Sequence, residues 1–154
     1  MSKGRDREEE SVFDIMNDNM ERSLIIIKPD GVKKKVIGEI ISRFEKRGLV
    51  IEKLKMMKIS RKLARKHYDE HKDKEFFNVL VEYITSGPVV VMVISGDKAI
   101  AKARDLMGAT DSKRAKEGTI RGDFGADINV NVIHGSDSKR SAVREIELFF
   151  HQNL

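Results

Sequence analysis

The chain has 154 residues, a net charge of +5 and no cysteine, and 40% of its residues are hydrophobic and 36% charged. This composition fits one domain of ordinary size with a sizeable core, and it excludes disulfides and thiolate chemistry. The longest apolar run, at residues 89–94, is far shorter than the roughly 18 residues of a membrane helix, and the polar N-terminus lacks an apolar signal region, so we expect a cytoplasmic protein.

Charge is unevenly divided along the chain. Residues 1–20 hold three basic and six acidic side chains, whereas residues 21–154 hold 27 basic and 19 acidic ones, a net charge of +8. The first segment is predicted to be a disordered polar extension, and a short docked helix around its apolar residues 12–16 is the alternative. The basic remainder favours partners that carry phosphate, either nucleic acids or small nucleotides.

The predicted domain begins with a strand and a helix. The β-branched run at residues 24–27 predicts a buried strand, and the Lys-Pro-Asp-Gly sequence at residues 28–31 predicts a turn. Apolar residues between positions 36 and 44 recur at helical spacing, and Gly48 predicts the end of that helix.

Two strands enclose the next helices. Residues 49–59 predict a strand of β-branched and long apolar side chains, and Ser60 is the predicted N-cap of a helix over residues 61–71. A short helix is predicted over residues 76–84. The apolar run at residues 89–94 predicts a strand that is buried on both faces and therefore central.

Two further helices and a strand complete the pattern. Asp97 is the predicted N-cap of a helix that ends near position 107, and a loop rich in glycine and charge follows at residues 108–127. Residues 129–133 predict the last strand. Strands separated by helices predict an α/β sheet covered by helices, and two βαβ units of this length fit the ferredoxin-like plan.

The chain ends in a predicted amphipathic helix. Ser138 is its predicted N-cap, and the helix covers residues 139–150. Its predicted apolar face includes Val143, Ile146 and Phe150.

One histidine lies in a segment suited to catalysis. His134 directly follows the predicted last strand, and Ser136 and Ser138 offer hydroxyls near a helix N-terminus, where anions are favoured. Gly135 is expected to reduce bulk beside the imidazole. A neutral histidine is a good nucleophile near pH 7 when a partner fixes its tautomer, and Glu145 is the candidate partner. By itself, the segment fits an active site and a simple capped turn equally well.

A second pair of histidines gives a weaker signal. His67 and His71 share one face of a predicted helix, which suggests a metal site. However, Tyr68 stands where a zinc protease would need its glutamate, and no third ligand is evident. We therefore interpret the pair as solvated or packing side chains.

Side chains that could bind phosphate come from separate segments. Phosphoryl transfer depends mostly on positioning and charge stabilisation, so several donors around one nucleophile are expected. The sequence has neither a P-loop nor a kinase glycine-rich loop. The candidate donors are Lys28, Arg104, Thr110, Arg114, Thr119 and Arg121.

Four segments stand out in order along the chain: IKPDGV at residues 27–32, SGPVV at 86–90, GTIRGDF at 118–124 and NVIHGSDS at 131–138. Together they resemble the nucleoside diphosphate kinase family. The resemblance implies a kinase domain over residues 21–154 with an α/β, ferredoxin-like βαββαβ fold and a four-stranded antiparallel sheet. It also implies a phosphotransferase that moves the γ-phosphate of a nucleoside triphosphate to a nucleoside diphosphate.

The resemblance further implies a role for each site residue. His134 would carry the phosphoryl group in a ping-pong cycle, Glu145 would bond its imidazole, Ser136 would join that network, and Tyr68 would stand near the transferred phosphate. Because stacking accepts any base, ATP, GTP and other nucleotides are expected substrates. The nucleotide would be held by Lys28 and Asn131 at the ribose, by Arg104, Thr110 and Arg121 at the phosphates, and by Phe76, Leu80 and Ile128 at the base.

Cofactor and assembly are also implied by the resemblance. Mg²⁺ is expected to ride on the nucleotide phosphates, without a metal site built by the protein. We expect a homo-oligomer, a hexamer with a tetramer as the alternative, with no membrane and no specific nucleic-acid partner. Lys35 stands where the family often has glycine, and Ser112 and Glu117 replace prolines in a loop that commonly packs at a subunit interface.

Two other classes of function compete with the kinase interpretation. A nucleic-acid-binding module is disfavoured because only 6% of the residues are aromatic and no paired-aromatic strand motif is present. A catalytically silent scaffold would be expected to lose the nucleophile or its cations, and the sequence retains both.

Overall fold

The computed structural model describes residues 20–151, so the predicted extension lies outside the described residues except for its last residue, Met20. The described part is built on a four-stranded sheet with the order β2-β3-β1-β4, in which every pairing is antiparallel. This order, together with a helix between β1 and β2 and another between β3 and β4, confirms the predicted ferredoxin-like fold. The strands are β1 (Glu21–Ile27), β2 (Val50–Met57), β3 (Val89–Gly96) and β4 (Ile133–Gly135).

Helices cover both faces of this sheet. Ser60 and Ser138 accept hydrogen bonds from the backbone N–H groups of Leu63 and Ser141, so both predicted N-caps are confirmed. No helix within the described residues is long and apolar enough to cross a membrane. The α-helices of that part are α1 (Pro29–Lys33), α2 (Ile37–Lys46), α3 (Arg61–His67), α4 (Phe77–Ile84), α5 (Ala99–Met107), α6 (Ile120–Phe124) and α7 (Lys139–Phe150).

The two central strands contribute side chains to two separate hydrophobic cores, one on each face of the sheet. Ile25 and Ile27 of β1 pack with α2 and α5 on one face, whereas Leu24 and Ile26 pack with α3, α4 and α7 on the other. Every residue of β3 is buried. Strands covered on both faces have continuous apolar runs rather than alternating ones, and the predicted central position of residues 89–94 is confirmed.

The prediction of the last strand was wrong. β4 covers Ile133–Gly135 instead of residues 129–133, so His134 lies within the strand and not after it. The residues before it form turns, because the Asp127 carboxylate accepts hydrogen bonds from the backbone N–H groups of Asn129 and Val130. Val132 then reverses the chain with a φ of +74°.

Two other local predictions were wrong at helix starts. Residues 28–31 form the start of α1 and not a simple turn, because Pro29 occupies the first helical turn, where its ring is compatible with helix. Asp97 does not cap α5. The Glu21 carboxylate, from the start of β1, instead accepts a hydrogen bond of 2.9 Å from the backbone N–H of Ile100.

Three further differences concern helix extent and exposure. The helix predicted over residues 61–71 ends at His67 and is followed by a 3-10 turn over Asp69–His71. The predicted loop at residues 108–127 contains α6, whose N-cap is Thr119. Val143 was placed on the apolar face of α7, but its side chain is 68% exposed, because that helix packs on the sheet through Leu148, Phe149 and their neighbours.

Candidate active site

A cavity of about 540 Å³ opens between the end of α3, the loop before β4 and the start of α7. Eleven of the twelve predicted site residues line it, and the twelfth, Ser136, is fully buried behind Glu145. Segments that are distant in the sequence are therefore brought together at one place. The eleven lining residues are Lys28, Tyr68, Phe76, Leu80, Arg104, Thr110, Arg121, Ile128, Asn131, His134 and Glu145.

A chain of three polar side chains fixes the imidazole of His134. Its Nε2 lies 3.0 Å from Oε1 of Glu145, and the Ser136 hydroxyl donates a 2.7 Å hydrogen bond to that same oxygen. The Ser136 hydroxyl also accepts a hydrogen bond from the backbone N–H of Leu24. Glu145 is buried, so its position is set by these bonds and by the packing of α7 on the sheet.

This arrangement selects one tautomer of His134. An ionised carboxylate can only accept a hydrogen bond, so this contact places a proton on Nε2, and in the neutral ring the lone pair is then on Nδ1. Within residues 20–151, Nδ1 of His134 has no hydrogen-bond partner. The geometry therefore leaves Nδ1 as the ring nitrogen that is available to react at the cavity.

The backbone on both sides of the imidazole is held firmly. His134 pairs with Ile26 of β1, and the backbone N–H of Lys28 donates a 2.7 Å hydrogen bond to the carbonyl of Val132. The N–H of Ile133 bonds the carbonyl of Asn131 at 2.8 Å, which closes a tight turn around Val132. A β-branched residue with positive φ costs roughly 1–3 kcal/mol and persists where its surroundings enforce it.

Two buried cations stand at the base of the cavity. Burial, assisted by the charge of Arg121 and opposed by Asp30, lowers the pKa of Lys28 to about 8. Burial and the charge of Arg104 lower the pKa of Arg121 to about 10. These shifts mean that positive charge is held here at an energetic cost, which an anionic ligand would relieve.

Hydrogen bonds to neighbouring groups orient the side chains of Lys28 and Arg121. Lys28 donates a 2.8 Å hydrogen bond to the side-chain oxygen of Asn131, whose amide nitrogen donates to the carbonyls of Thr110 and Ile128. Arg121 donates to two backbone carbonyls, those of Gly108 and Ile133, and its Nε is buried without a partner. Each cation thus retains donor capacity that no described residue uses.

A buried phenol completes the polar part of the cavity. The hydroxyl of Tyr68 has no hydrogen-bond partner among the described residues. Burial, with a smaller contribution from the Glu145 charge, raises the pKa of the Tyr68 phenol. The group therefore stays protonated and can donate a hydrogen bond into the cavity.

The cavity wall also carries exposed apolar side chains. Phe76 and Ile128 are both more than one-third exposed, although they are large and apolar, and Leu80 lies on the same wall. The ring of His71 lies 5.5 Å from that of Phe76. Such surfaces suit a flat ring that enters between them.

From the sequence, His67 was interpreted only as a solvated or packing side chain, and its position in the site was missed. Its ring lies 4.6 Å from that of His134, edge to face, and its Nδ1 lies 3.8 Å from Oε2 of Glu145. Burial lowers the pKa of His67 well below its ordinary value, and the charges of His134 and Lys28 lower it further. The residue is therefore a neutral packing side chain under the site, which agrees with the packing half of the earlier interpretation.

Arg144 was also missed, although it directly precedes Glu145. It lines the cavity and donates hydrogen bonds of 3.1 Å to the carbonyls of Lys66 and His67. These bonds attach the end of α3 to α7. The only indication in the sequence was its position directly before Glu145, the candidate partner of His134.

Three expectations about the site were not met. Arg114 does not line the cavity, because its side chain is 85% exposed and lies near Asp111. The Thr119 hydroxyl accepts a hydrogen bond from the backbone of Gly122 as the cap of α6. At Gly135, an added Cβ would come within 2.6 Å of Sδ of Met107, so the small residue serves the packing of α5 on β4 more than it clears space beside the imidazole.

One group of side chains resembles a set of metal ligands. Among the described residues, His67, His134 and Glu145 place ligand atoms within 4.8 Å of one another. Two imidazoles and one carboxylate do not suit Mg²⁺, which takes oxygen ligands. Four lysine and arginine side chains line the same cavity and would repel a free dication.

Comparisons with known proteins agree on one family. A family model described as nucleoside diphosphate kinase matches residues 21–154. The nucleoside diphosphate kinase of Pelotomaculum thermopropionicum is 63% identical over 131 residues, which is 85% of this chain and 88% of the relative. That of Picrophilus torridus is 54% identical over 134 residues, which is 87% of this chain and 97% of the relative.

Solved structures give the same result. The nucleoside diphosphate kinase of Aquifex aeolicus superposes with a TM-score of 0.83 at 42% identity, covering 85% of this chain and 95% of its own. The enzyme of Halobacterium salinarum in complex with CDP has a TM-score of 0.83 at 50% identity, covering 86% of this chain and 88% of its own.

Proposed function

Because the chain belongs to the nucleoside diphosphate kinase family, and is therefore a phosphotransferase, we propose that His134 carries the phosphoryl group between two nucleotides in a ping-pong cycle. The observation that supports this proposal is the orientation of the imidazole. Its Nε2 is bonded to Glu145, while Nδ1 has a free lone pair in the cavity. A histidine held in this way is prepared to act as a nucleophile.

The first half of the proposed cycle forms a phosphohistidine. The Nδ1 lone pair attacks the γ-phosphorus of a nucleoside triphosphate, and the bond from that phosphorus to the bridging oxygen breaks. The oxygen leaves with the electron pair as part of the nucleoside diphosphate. The proton on Nε2 stays at the hydrogen bond to Glu145, whose negative charge stabilises the positive charge that develops on the ring.

The second half reverses these events. A terminal oxygen of a second nucleoside diphosphate attacks the same phosphorus, the phosphorus–nitrogen bond breaks, and the electron pair returns to Nδ1. Lys28, Arg104 and Arg121 neutralise the phosphate oxygens in both halves, and the Tyr68 and Thr110 hydroxyls can donate hydrogen bonds to them. Preorganised donors of this kind are commonly the largest contribution to catalysis.

Nucleotide binding is proposed to use the rest of the cavity. Lys28 and Asn131, which are hydrogen-bonded to each other, would bond the hydroxyls of the sugar. Phe76, Leu80 and Ile128 would contact the base. Because these contacts are apolar and do not read base edges, we expect both purine and pyrimidine nucleotides to serve.

Mg²⁺ is proposed to accompany the nucleotide. When bound to the nucleotide phosphates, it would withdraw negative charge from the reacting phosphorus. Mg²⁺ usually keeps several waters and uses substrate phosphates rather than an all-protein cage, which agrees with a cavity whose charged lining is largely cationic. Activity is expected to disappear with EDTA and to return when Mg²⁺ is restored.

A homo-oligomer is proposed from the exposed edge of the sheet. β2 is one of the two edge strands, and its residues Val50, Leu54 and Met56 are each more than half exposed. Exposed apolar edge strands invite pairing with another chain. We propose a dimer through β2, assembled into a hexamer or a tetramer, and Leu54→Lys should reduce the mass measured by light scattering. The cytoplasmic location stays a prediction from the sequence.

Labelling of the protein tests the proposed mechanism. Incubation with γ-labelled ATP and Mg²⁺ should place acid-labile, base-stable label on the chain with a stoichiometry near one. The label should be absent from His134→Ala, and any added nucleoside diphosphate should remove it from the unchanged protein. His151→Ala is a matched control, because His151 is exposed at the end of α7 and should leave labelling unchanged.

The outcomes separate the competing functions. A correctly folded protein that stays unlabelled would favour the scaffold or nucleic-acid-binding alternatives. Label that persists in His134→Ala would assign the nucleophile to another residue.

A further inference from the structure

Arg121 reaches the cavity from a very short helix. It lies within α6, whose five residues make little more than one turn, and its side chain is buried and lines the cavity. Isolated helices shorter than about 12 residues are marginal in water. Ile120 anchors the start of α6 in the core, but the direction of the Arg121 side chain also depends on the contacts that hold the rest of the helix.

One side chain of α2 supplies such contacts. Nη2 of Arg43 lies 2.8 Å from Oδ2 of Asp123, and its Nη1 donates a 3.3 Å hydrogen bond to the carbonyl of Gly118. Cζ of Arg43 lies 5.0 Å from the centre of the Phe124 ring. A guanidinium group is planar and rigid, so Arg43 fixes the end of α6 relative to the turn that precedes its start.

This turn and α6 form one closely packed unit. The second carboxylate oxygen of Asp123 accepts a 2.9 Å hydrogen bond from the backbone N–H of Gly118. The Thr119 hydroxyl, which caps α6, donates a 2.6 Å hydrogen bond to the carbonyl of Lys116. An added Cβ at Gly122 would lie 2.0 Å from that same carbonyl oxygen. The unit therefore has little internal freedom, and a contact at Asp123 constrains all of it.

Arg43 itself lies outside the nucleotide cavity. It is not among the residues that line the cavity, and its Nε donates a hydrogen bond to Glu39 within α2. Arg121 donates instead to the carbonyls of Gly108 and Ile133. The two arginines share no hydrogen-bond partner among the described residues, so an effect of Arg43 on the cavity is transmitted through α6.

We propose that Arg43 is a positioning residue for Arg121, because it holds α6 in the orientation that directs the Arg121 guanidinium group at the nucleotide phosphates. This inference rests on the proposed function, in which Arg121 neutralises phosphate oxygens. Misplacement of a group by about 1 Å can slow a reaction by roughly 100-fold. Loosening α6 should therefore slow phosphoryl transfer, although the cavity keeps every one of its side chains.

A double-mutant cycle tests this proposal through the rate at which labelled ATP phosphorylates the chain. Arg43→Gln alone should lower the rate by roughly 10-fold or more. In the Arg121→Ala background, the same change should lower it by less than about 2-fold, because the side chain that Arg43 positions is gone. An equal loss in both backgrounds would overturn the proposal, since it would mean that Arg43 acts independently of Arg121.

Arg22→Gln is the matched control. Arg22 also forms a partly exposed ion pair between two elements, with 2.7 Å between its Nε and the carboxylate of Glu52, but this pair joins β1 to β2 and does not involve α6. Its removal should leave the phosphorylation rate unchanged. A loss as large as that of Arg43→Gln would show that the effect is general destabilisation and would overturn the proposal.

A second variant applies if Arg43→Gln fails to fold. Asp123→Asn removes the charge that Arg43 contacts and keeps an oxygen for the backbone N–H of Gly118. The same pattern of rates is expected, with a large loss alone and little further loss beside Arg121→Ala. An unchanged rate in Asp123→Asn would overturn the proposal, because this carboxylate is the link between Arg43 and α6.

Calorimetric binding of ADP separates this inference from the proposed mechanism, because binding needs no phosphohistidine. Arg43→Gln should weaken the binding several-fold in the otherwise unchanged protein and not in Arg121→Ala. If this pattern appears in a protein that takes up no label, the positioning role stands and the proposed mechanism fails. If Arg43→Gln takes up label at the rate of the unchanged protein and binds ADP equally well, the mechanism stands and the positioning role fails.

Discussion

Replacing Lys28 by methionine offers a quantitative test of the electrostatics at the base of the cavity. Lys28 is buried, and its pKa is lowered from 10.5 to about 8 in the folded protein. Between these two values, the unfolded chain binds more protons than the folded chain. The free energy of unfolding should therefore rise with pH in this window. Below pH 8, both states hold the charge and the full cost of burying it remains.

The expected size follows from these two pKa values. Relative to Lys28→Met, the unfolding free energy of the unchanged protein should increase by roughly 1 kcal/mol from pH 7 to pH 9, and by roughly 2–3 kcal/mol from pH 7 to pH 10. Loss of the hydrogen bond to Asn131 also destabilises the variant, but that contribution does not change over this range. The comparison with the variant cancels the titration of other groups.

Urea denaturation of the nucleotide-free protein at a series of pH values gives the required free energies. Lys62→Met serves as a matched control, because Lys62 is exposed on α3 and its removal should leave the pH dependence unchanged. We would reject the conclusion that burying the charged Lys28 side chain costs free energy if the unfolding free energy of the unchanged protein, relative to Lys28→Met, stays constant or falls between pH 7 and pH 10.

Three further changes test other parts of the structure. Arg121→Ala should lower turnover by roughly 10²-fold or more, and unchanged steady-state rates would exclude Arg121 from the groups proposed to bind the phosphates. Glu145→Gln keeps an acceptor for Ser136 but removes a charged hydrogen bond that contributes roughly 1.5–3 kcal/mol. Phosphorylation measured by stopped flow should therefore slow by about 10- to 100-fold, and an unaltered rate would show that the charge of Glu145 does not assist His134. Lys35 has a φ of +60°, so Lys35→Gly should raise the unfolding free energy by up to about 1 kcal/mol, whereas a loss in urea denaturation would contradict the assigned strain.

The fold was predictable because its central strands have an unambiguous composition. β1 and β3 are covered on both faces, and their apolar runs end in turn residues that the sequence displays directly. The serine caps of α3 and α7 are equally local signals. Where a boundary depended on a distant contact, prediction failed. The cap of α5 comes from Glu21, 79 positions away, and no local pattern identifies it.

The candidate site was predictable as a set of residues and less so as a geometry. The resemblance supplied the members that line the cavity, but their roles stay proposals. Val132 has the β-branched side chain of a strand former, yet its positive φ moves the strand boundary and puts His134 inside β4. The burial of His67 results from the packing of α3 against α7, which involves Arg144. Such contacts between distant segments leave no periodic signature.

The attachment of His134 to a central sheet has a kinetic consequence. Since β4 is paired with β1, the backbone at His134 is held in place, and in the proposed cycle both nucleotides would therefore bind in turn at the same site. Surplus nucleoside diphosphate would then occupy the unmodified protein as an abortive complex, and we expect the velocity to decline at high acceptor concentration. In that cycle, the rate would depend on the ratio of triphosphate to diphosphate around the protein.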